Sequence, residues 1–394
     1  MPNHVIFTSS GSGGDVLPFL RLGRGLRERG HDVTLISHCC YQDRAARAGM
    51  DFAPLDSPEE YSRFIEDGPL LNTPPGIPEF MRRHSLPRVP VELELISRRW
   101  RRGETVLVTR DMFDIAARVA VEKLGIPALW VFTGPSQLAT SKLRLSLFRD
   151  LLASDLNRLR AELGLSPVQD WASWLGYPQR SIALWPDWFA PAEPDWPAGV
   201  VPVGFMADSE VETGEIPDEV QAILDSGEAP VLITGGTGMY LGAEFYTVSA
   251  EACRLLNRRG ILVTQYQKQL PKHLPDCVRW FGYLPFRTLM RHMGAVIHHG
   301  GMGTLSCATA AGIPQLVLAM GADRPDNALR LQRLGVAEYL PPPAWQPSTV
   351  AEKLRKVTKS QAIRERCRDL ARRVAVTDPL TATCKIIEDT IPIK

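Results

Sequence analysis

Short apolar runs alternate with longer stretches of helical spacing along this sequence. Runs of four or five apolar residues predict strands over residues 5–8 and 33–37, and residues 16–29 between them repeat their apolar positions at helical intervals. The second half of the chain repeats this order, with predicted strands over residues 231–234 and 261–264 on either side of another helix. Apolar strands that alternate with helices are typical of parallel sheets covered on both faces. Two such segments in succession predict an α/β protein with two Rossmann-like domains.

The boundary between the two predicted domains falls in an acidic stretch. Residues 206–229 contain glycine and proline, carry many carboxylates and show no strand pattern. A chain of 394 residues is long enough for two or three domains. We therefore expect an N-terminal domain over residues 1–205, a linker over residues 206–229, a C-terminal domain over residues 230–377 and a terminal helix over residues 378–394 that packs back on the first domain.

Composition and charge argue against several classes of protein. The formal net charge is +1 and no dense block of lysine and arginine is present, so we expect no binding to nucleic acid. The seven cysteines are scattered without CxxC spacing, which argues against a disulfide framework or a thiolate zinc site and favours the reducing cytoplasm. The N-terminus lacks the features of a signal peptide, and no apolar run approaches the roughly 20 residues that span a bilayer.

One segment is compatible with contact at a membrane surface. Residues 138–163 are partly amphipathic and carry five cationic side chains. A lid helix over an acceptor-binding site explains the same pattern better. The sequence leaves a monomer and a homodimer equally open.

A glycine-rich turn in the second half predicts a site for an anion. The apolar residues 295–297 are followed by His298-His299-Gly300-Gly301-Met302-Gly303-Thr304, which opens a predicted helix that ends near residue 311. Glycines let the backbone approach a ligand, and the N–H groups and dipole at a helix start favour a diphosphate. Thr304 can donate a further hydrogen bond, and His299 can donate to a phosphate oxygen or carry positive charge. Glycines that serve packing alone explain the paired histidines less well, and a zinc site lacks a third ligand.

This turn resembles the donor motif of glycosyltransferase family 1, in which HxGxxT, a helix, GxP, a strand and DQxxN follow one another. Residues 298–327 read HHGGMGTLSCATAAGIPQLVLAMGADRPDN. The resemblance extends over nearly the whole chain and implies the α/β fold called GT-B, in which two Rossmann-like domains place parallel sheets across a cleft. It also implies inverting transfer of a sugar from a UDP, TDP or GDP donor, with no metal ion and no cofactor beside the nucleotide sugar.

The resemblance also implies which residues bind the donor. Tyr283 would stack on the nucleobase, the backbone of Leu284 would read its edge, and Asp323 would accept hydrogen bonds from sugar hydroxyls. The loop at Gly236 and Thr237 would touch the phosphates. The full set of implied donor-binding residues is Ser12, Gly13, Gly236, Thr237, Tyr283, Leu284, His299, Gly301, Met302, Gly303, Thr304, Asp323 and Arg324.

Two residues depart from the family pattern. The family often has a glutamate that binds ribose hydroxyls three positions after Thr304, and this chain has Cys307, a poor hydrogen-bond partner. The family's Asp-Gln pair is Asp323-Arg324 here. Arginine cannot accept a hydrogen bond from a sugar, but it can pair with a carboxylate or a phosphate. With Cys307, recognition of the ribose must come from elsewhere or be weaker. With Arg324, the donor sugar stays open: a simple hexose or deoxyhexose is expected, and an unusual sugar is the alternative.

Asp15 is the candidate catalytic base. Judged from the residues alone, Asp15 is better explained as the N-cap of a helix than as a base. A dinucleotide-binding reading of this loop fails, because Val16 occupies the third glycine position and Ser37-His38 replaces the acidic residue after the second strand. A carboxylate is a weak base toward an alcohol, so proton transfer would come late, as the sugar becomes oxocarbenium-like.

The resemblance gives Asp15 a catalytic role. Many family members have GHxxP here with histidine as the base, whereas a branch with sterol glucosyltransferases, glycopeptide glycosyltransferases and rhamnolipid rhamnosyltransferases has GDxxP. Residues 14–18 read GDVLP, and residues 182–190 resemble the same branch. The branch implies a small, largely apolar acceptor such as a natural product or a lipid.

Asp111 is a second catalytic candidate. It follows a predicted strand over residues 106–109 and resembles the family residue that orients the catalytic histidine. Its partner here would be the carboxylate of Asp15. Two adjacent carboxylates do not both ionise easily, so the pKa of one would rise and make it a better base. A structural role in capping or in the loop explains Asp111 at least as well. Two other functions stay open: a non-catalytic protein that binds nucleotide sugar and assists another transferase, and an epimerase that changes the nucleotide sugar without an acceptor.

Overall fold

The strands of this chain form two separate parallel sheets. The computed structural model describes residues 3–110, 114–177, 180–194, 196–206 and 214–391. The chain divides into a first unit, Met1–Gly204 with Asp378–Lys394, and a second unit, Phe205–Thr377. Each unit has its own sheet and its own hydrophobic core.

The first unit contains a sheet of seven described strands. They are β1 His4–Thr8, β2 Asp32–Ser37, β3 Asp51–Pro54, β4 Thr105–Arg110, β5 Ala128–Phe132, β6 Ser181–Ala183 and β7 Val200–Pro202. All pair in parallel in the order β3-β2-β1-β4-β5-β6-β7. The strand order reverses between β1 and β4, and in sheets of this kind ligands bind outside the carboxyl ends of the strands at such a reversal.

The second unit repeats this topology with six described strands. They are β8 Val231–Thr234, β9 Gly260–Val263, β10 Val278–Phe281, β11 Ala295–His298, β12 Gln315–Leu318 and β13 Ala337–Leu340. Their order is β10-β9-β8-β11-β12-β13, again all parallel, so the reversal lies between β8 and β11. The predicted α/β class with two Rossmann-like sheets is confirmed, because all described strand pairs in both units are parallel. Parallel neighbours need crossover connections, which helices usually supply.

Helices connect most of these strands. The α-helices are α1 Gly13–Glu28, α2 Gln42–Arg47, α3 Pro58–Glu66, α4 Gly76–Phe80, α5 Val89–Arg99, α6 Ile115–Leu124, α7 Ser136–Ala139, α8 Ser141–Ser146, α9 Ala153–Glu162, α10 Trp171–Trp174, α11 Asp218–Asp225, α12 Ala243–Leu255, α13 Phe286–Met290, α14 Met302–Ala311, α15 Arg324–Arg333, α16 Pro347–Lys359, α17 Gln361–Ala375 and α18 Pro379–Glu388. Short 3₁₀ and π segments are Cys39–Tyr41, Gly68–Asn72, Met81–Ser85, Leu86–Arg88, Leu147–Leu151, Gln267–Gln269 and Pro342–Ala344.

The first helix begins earlier than its apolar pattern predicts. Helix α1 starts at Gly13, three residues before the predicted start, with Ser12 as its N-cap. Gly13 and Gly14 carry no side chain and Asp15 is polar, so periodicity could not include them. Asp15 therefore lies within the first turn of the helix, and it is not the N-cap.

The helix nearest the end of the chain packs against the first helix of the same unit. A Cβ added to Gly25 of α1 would lie 2.9 Å from Leu380 of α18, and Arg29 donates to Glu388 at 2.7 Å. The acidic stretch 206–229 includes helix α11, which the sequence analysis did not predict. Val220 of that helix is buried in the core of the second unit.

Two of the five cationic side chains between residues 138 and 163 are buried. Arg160 donates to both carboxylate oxygens of Glu122 at 2.8 Å, and Arg144 contacts the hydroxyl of Tyr177. These two cations stabilise the first unit and do not face a membrane. Within the described residues, no helix is both long enough and apolar enough to span a bilayer.

Candidate active site

Two loops of the second unit meet where the strand order reverses. Strand β8 pairs with β11 so that Thr234 lies beside His298, and the loops that follow therefore start side by side. The imidazole of His299 lies between two glycines of these loops. A Cβ added to Gly236 would lie 2.6 Å from Cε1 of His299, and a Cβ added to Gly301 would lie 2.8 Å from the same atom. Glycine at these two positions makes room for the ring, because any side chain would collide with it.

The ring of His299 is buried and uncharged. Burial chiefly, and the Arg324 cation and His298 in addition, hold the pKa of His299 well below the ordinary histidine value. A neutral imidazole keeps one N–H, so it can donate one hydrogen bond to an anion. The alternative expectation, a positively charged His299, is disfavoured in this structure. Among the described residues, Nδ1 of His299 is buried and has no hydrogen-bond partner. An unpaired buried group typically lowers the stability of the fold by about 1–3 kcal/mol, so stability does not explain this ring.

His298, which the sequence analysis did not select, supports the turn from the end of β11. Its Nδ1 accepts from the N–H of Gly300 at 3.1 Å, and its Nε2 lies 3.0 Å from Oε1 of Gln315. Gln315 in turn donates to Thr309 at 3.2 Å. Burial lowers the pKa of His298 to about 4, so the neutral ring accepts at Nδ1 and donates at Nε2. The two histidines thus have different roles. His298 holds the turn by hydrogen bonds, and the ring of His299 lies against the glycines of the turn.

The start of helix α14 supplies backbone donors. Gly301 is the N-cap with an extended backbone, and its carbonyl accepts from Leu305 at 3.1 Å. Helix geometry leaves the N–H groups of Met302, Gly303 and Thr304 without an acceptor inside the helix. These groups and the dipole of a ten-residue helix give the turn partial positive charge. Gly303 is exposed and Thr304 is buried, so the donors lie at the edge of the unit.

Asp323 is connected to this turn through a second residue that the sequence analysis did not select. Asn327 is fully buried and donates through Nδ2 to Oδ2 of Asp323 at 2.9 Å and to the carbonyl of Gly300 at 3.0 Å. Asp323 precedes helix α15, and Ala322 before it has the left-handed φ of 51° that L-residues seldom adopt. Backbone strain of this kind is found most often at functional sites. The signal for Asn327 was its place in the quoted motif, as the last residue of the DQxxN pattern.

Arg324 is held against protein groups. It is 4% exposed, donates to the carbonyl of Met320 at 2.8 Å and lies with its guanidinium carbon 4.5 Å from the ring centroid of Tyr240. Cation–π contact and the backbone bond keep the side chain in place. In this conformation Arg324 acts on the turn through its charge, which contributes to the lowered pKa of His299. The predicted pairing of Arg324 with a carboxylate or a phosphate stays a prediction.

The residues predicted to bind the nucleobase lie at the edge of the same sheet. Tyr283 follows β10 and is 56% exposed, whereas Leu284 beside it is buried in the core. The carboxyl ends of β10 and β11 are three strand spacings apart, about 14 Å. The carbonyl of Thr237 accepts from the hydroxyl of Tyr266 at 3.0 Å, which holds the loop after β8.

In the first unit, Asp15 lies at the carboxyl end of β1 with both oxygens in contact with donors. Its Oδ2 accepts from the N–H and the hydroxyl of Ser12 at 2.9 and 3.2 Å, and its Oδ1 accepts from Arg110 at 3.0 Å. Ser12, expected near the donor phosphates, therefore contacts Asp15, and Gly13 is the first residue of helix α1. Arg110 ends strand β4, whose Thr109 pairs with Thr8 of β1. The observed partner of Asp15 is thus a cation that the sequence analysis did not select.

Asp111 lies outside the described residues, so its predicted pairing with Asp15 stays a prediction. Asp114, four residues after Arg110, caps helix α6 by accepting from the N–H of Ala117 at 3.0 Å. Its other oxygen accepts from the hydroxyls of Thr8 and Thr109. Asp114 therefore ties the carboxyl ends of β1 and β4 together.

Both units match known protein families. Residues 5–103 match the glycosyltransferase family 28 N-terminal domain, and residues 257–388 match the erythromycin biosynthesis protein CIII-like, C-terminal domain. The chain is similar to the O-mycaminosyltylonolide 6-deoxyallosyltransferase of Streptomyces fradiae, with 28% identity over 98% of this chain and 97% of the relative.

Solved structures share the fold of the whole chain. The glycotransferase of kitacinnamycin superposes with a TM-score of 0.77 at 19% identity and covers 99% of this chain and 100% of its own. The glycosyltransferase VinC, solved in complex with dTDP, superposes with a TM-score of 0.72 at 17% identity and covers 98% of this chain and 99% of its own. At these identities the likeness establishes the fold.

Proposed function

We propose that this chain, a GT-B glycosyltransferase of natural-product type, transfers a deoxyhexose from a thymidine diphosphate sugar to a hydroxyl of a small apolar natural product. The chain belongs to the glycosyltransferases that join a family 28 N-terminal domain to an EryCIII-like C-terminal domain. The transferase class is established, and the donor, the acceptor and the roles of individual residues form the proposal.

The position of His299 is the main observation that supports a donor-binding site in the second unit. A neutral His299, with Nδ1 buried and without a partner in the described part of the chain, lies between Gly236 and Gly301 directly before the N–H groups that open helix α14. An imidazole N–H, a helix start and the adjacent Arg324 cation together favour a diphosphate. As the bond from the anomeric carbon to the phosphate oxygen breaks, negative charge grows on that oxygen. Donors already in place stabilise this charge without reorganisation.

Thymidine diphosphate fits the site better than uridine diphosphate. The helix position where the family often binds ribose hydroxyls holds Cys307, whose thiol is a weak partner for hydroxyl groups. The 2′-deoxyribose of thymidine presents one hydroxyl fewer and so loses less at this position. The structurally similar VinC was solved with dTDP, which supports the same donor. We propose that Tyr283 stacks on the base, because its exposed ring lies at the same edge of the sheet.

A deoxyhexose is the sugar that the remaining polar groups favour. Arg324 takes the place of the glutamine that reads sugar hydroxyls in the family, and its guanidinium is held by Tyr240 and Met320. Asp323 then carries most of the sugar recognition, which suits a sugar with fewer hydroxyls than glucose. The similar enzyme from Streptomyces fradiae is named as a 6-deoxyallosyltransferase, which supports this class of sugar.

We assign the acceptor's proton to Asp15. The acceptor oxygen forms a bond to the anomeric carbon, thymidine diphosphate departs, and the hydroxyl proton passes to the carboxylate of Asp15. The contacts from Ser12 and Arg110 hold the carboxylate in one orientation, and each oxygen of a carboxylate can accept two hydrogen bonds. Oδ1 has one described donor, so we assign it as the atom that receives the proton. Backbone donors, His299 and Arg324 supply the charge stabilisation that a metal ion provides elsewhere, so we propose metal-independent transfer.

The first experiment measures binding and turnover together. Calorimetry with TDP, UDP and GDP is expected to give the tightest binding for TDP, and Asp15→Asn is expected to keep that affinity within about twofold. The same variant should lose transfer by roughly 10²–10⁴-fold with TDP-deoxyhexoses and a panel of apolar acceptors, the range typical of a general base. Glu28→Gln, at the far end of helix α1, is the matched control and should keep full turnover.

Other outcomes of this experiment identify the alternatives. Tight binding of TDP-sugars without turnover on any acceptor would indicate a partner of another transferase. Conversion of the sugar with no acceptor present would indicate an epimerase. Full transfer by the Asp15→Asn variant would remove Asp15 from the mechanism, and preference for UDP would contradict the argument from Cys307.

A further inference from the structure

Asn327 contacts both parts of the proposed donor site. Its Nδ2 donates to the carbonyl of Gly300, in the diphosphate-binding turn, at 3.0 Å and to Oδ2 of Asp323, the proposed sugar-binding carboxylate, at 2.9 Å. The side chain is 0% exposed, so water does not compete for these bonds. One amide group therefore connects the turn to the carboxylate.

The peptide group that Asn327 contacts belongs to the residue on which the turn depends. Gly300 has a φ of 92°, its N–H donates to Nδ1 of His298 at 3.1 Å, and its carbonyl accepts from Asn327. Both polar groups of Gly300 are thus held by buried side chains. The conformation of Gly300 sets the direction of the N–H groups that follow at the start of helix α14.

The other end of the Asn327 amide is unsatisfied. Oδ1 is buried and has no hydrogen-bond partner in the part of the chain that the structure describes. Buried polar groups in folded proteins are nearly always paired, and an apolar side chain of the same shape would avoid the unpaired oxygen. Packing alone would favour leucine at this position. The amide of Asn327 is therefore explained by the two hydrogen bonds that its Nδ2 donates, to Gly300 and to Asp323.

We propose that Asn327 is a positioning residue that orients the Asp323 carboxylate toward the donor sugar and couples it to the diphosphate-binding turn. The inference rests on the proposed function, since it assigns Asp323 to the sugar. The carboxylate of an aspartate rotates about two side-chain bonds and samples several orientations, and a hydrogen bond to one oxygen selects among them. Sugar recognition by Asp323 then depends on Asn327, although Asn327 itself does not touch the sugar.

The test is a double-mutant cycle with Asn327→Leu and Asp323→Ala. Leucine keeps the shape of asparagine and removes the Nδ2 donor. Calorimetry gives the affinities for TDP and TDP-rhamnose. The affinity for TDP-rhamnose divided by the affinity for TDP measures the contribution of the sugar. We expect Asn327→Leu to lower that ratio about tenfold in the wild-type background and to leave it within twofold in the Asp323→Ala background, because coupled residues are non-additive.

Control variants separate positioning from folding. Gln332→Leu makes the same kind of change at an exposed amide of helix α15 and should leave the ratio unchanged. If Asn327→Leu does not fold, Asn327→Ser provides the second variant, judged by the same ratio.

Two results would overturn the inference. One is an unchanged ratio in a folded Asn327 variant, and the other is an equal loss in both backgrounds, which would show that Asn327 does not act through Asp323. Failure of the proposed function looks different. In that case the wild-type protein itself would bind TDP-rhamnose no more tightly than TDP, or would bind neither ligand.

Discussion

At the scale of single residues, the site is organised around one imidazole ring. His299 occupies space that Gly236 and Gly301 leave open, and its pKa is lowered chiefly by burial. The sequence suggested that these glycines let a ligand approach the backbone. The structure adds a nearer reason, because a side chain at either position would displace the ring that we propose binds the diphosphate.

The variant Gly301→Ala isolates this contact. Gly301 has a φ of −69° that alanine adopts readily, so the added methyl group acts only through its collision with His299. Overpacking of this kind costs about 1–3 kcal/mol. We expect the affinity for TDP, measured by calorimetry, to fall about tenfold or more. The melting temperature should fall by only a few degrees, because about 1 kcal/mol shifts it by roughly 2–4 °C in a domain of this size.

Gly242→Ala is the matched control for this variant. Gly242 is also the N-cap of a helix in the second unit, and a Cβ there meets nothing within 4 Å. This variant should bind TDP as the wild type does. Equal affinity in both variants would mean that the position of His299 does not matter for donor binding.

The residues that sequence reasoning missed share one property. Arg110, His298 and Asn327 act through partners far away in the sequence, namely Asp15, Gln315 and Gly300. Local patterns report which residues are apolar, flexible or charged, but side-chain pairs depend on which strands become neighbours. The pairing of Thr8 with Thr109 brings Arg110 to Asp15, and no local signal contains that register.

At the scale of elements, apolar runs identified the central strands well. The run at 231–234 coincides with β8, and the strands β1, β2, β4 and β9 each begin and end within one residue of the prediction. These strands are buried on both faces, so their sequence pattern is strong. Helix starts were harder to locate, because the glycines at the beginning of α1 give no periodic signal.

An ion pair connects helix α18 to the end of helix α1. Arg29 donates from Nε and Nη2 to the two oxygens of Glu388 at 2.7 and 2.8 Å, and these hydrogen bonds chiefly lower the pKa of Glu388 to about 2. A carboxyl whose pKa is depressed on folding stabilises the protein above its unfolded pKa, and this contribution is lost as pH falls through the folded value. Glu388 should therefore contribute fully above about pH 4.5 and lose its contribution toward pH 2.

The variant Glu388→Gln tests this ion pair. Because the pair is partly exposed, we expect the free energy of unfolding to fall by only about 0.5–1 kcal/mol at pH 7. The difference from wild type should vanish as pH falls toward 2. Tryptophan fluorescence during urea unfolding is a suitable measurement, since seven of the nine tryptophans precede residue 205. Glu28→Gln, in an exposed pair with Arg24, should change stability less, and an equal effect would argue against a special role for Glu388.

At the scale of the whole molecule, the two units differ in how the chain builds them. The second unit is one continuous segment, residues 205–377, whereas the first combines residues 1–204 with residues 378–394. Helix α18 contributes buried side chains to the first unit, and Ile387 among them is 0% exposed. Burial of one such side chain is worth about 1.5–3 kcal/mol, against a total stability of about 5–15 kcal/mol for a typical domain.

This asymmetry predicts different behaviour for fragments of the chain. Residues 205–377 alone should fold and unfold cooperatively, because both core clusters of the second unit lie within them. Residues 1–204 alone should melt at lower temperature or aggregate, because the face of α1 around Gly25 and Leu26 loses α18. Coexpression with residues 378–394 should restore part of the loss. A fragment 1–204 as stable as the first unit of the full chain would contradict this prediction.

The second fragment alone should retain most of the affinity for TDP. His299, the start of helix α14, Asp323 and Tyr283 all lie in residues 205–377, so this fragment should bind TDP within about threefold of the full chain. Ser12 and Gly13 belong to the first unit, and in this structure the donors of Ser12 contact Asp15. A loss much greater than threefold would therefore assign part of the diphosphate binding to Ser12 and Gly13, and a small loss would limit their role to orienting the base.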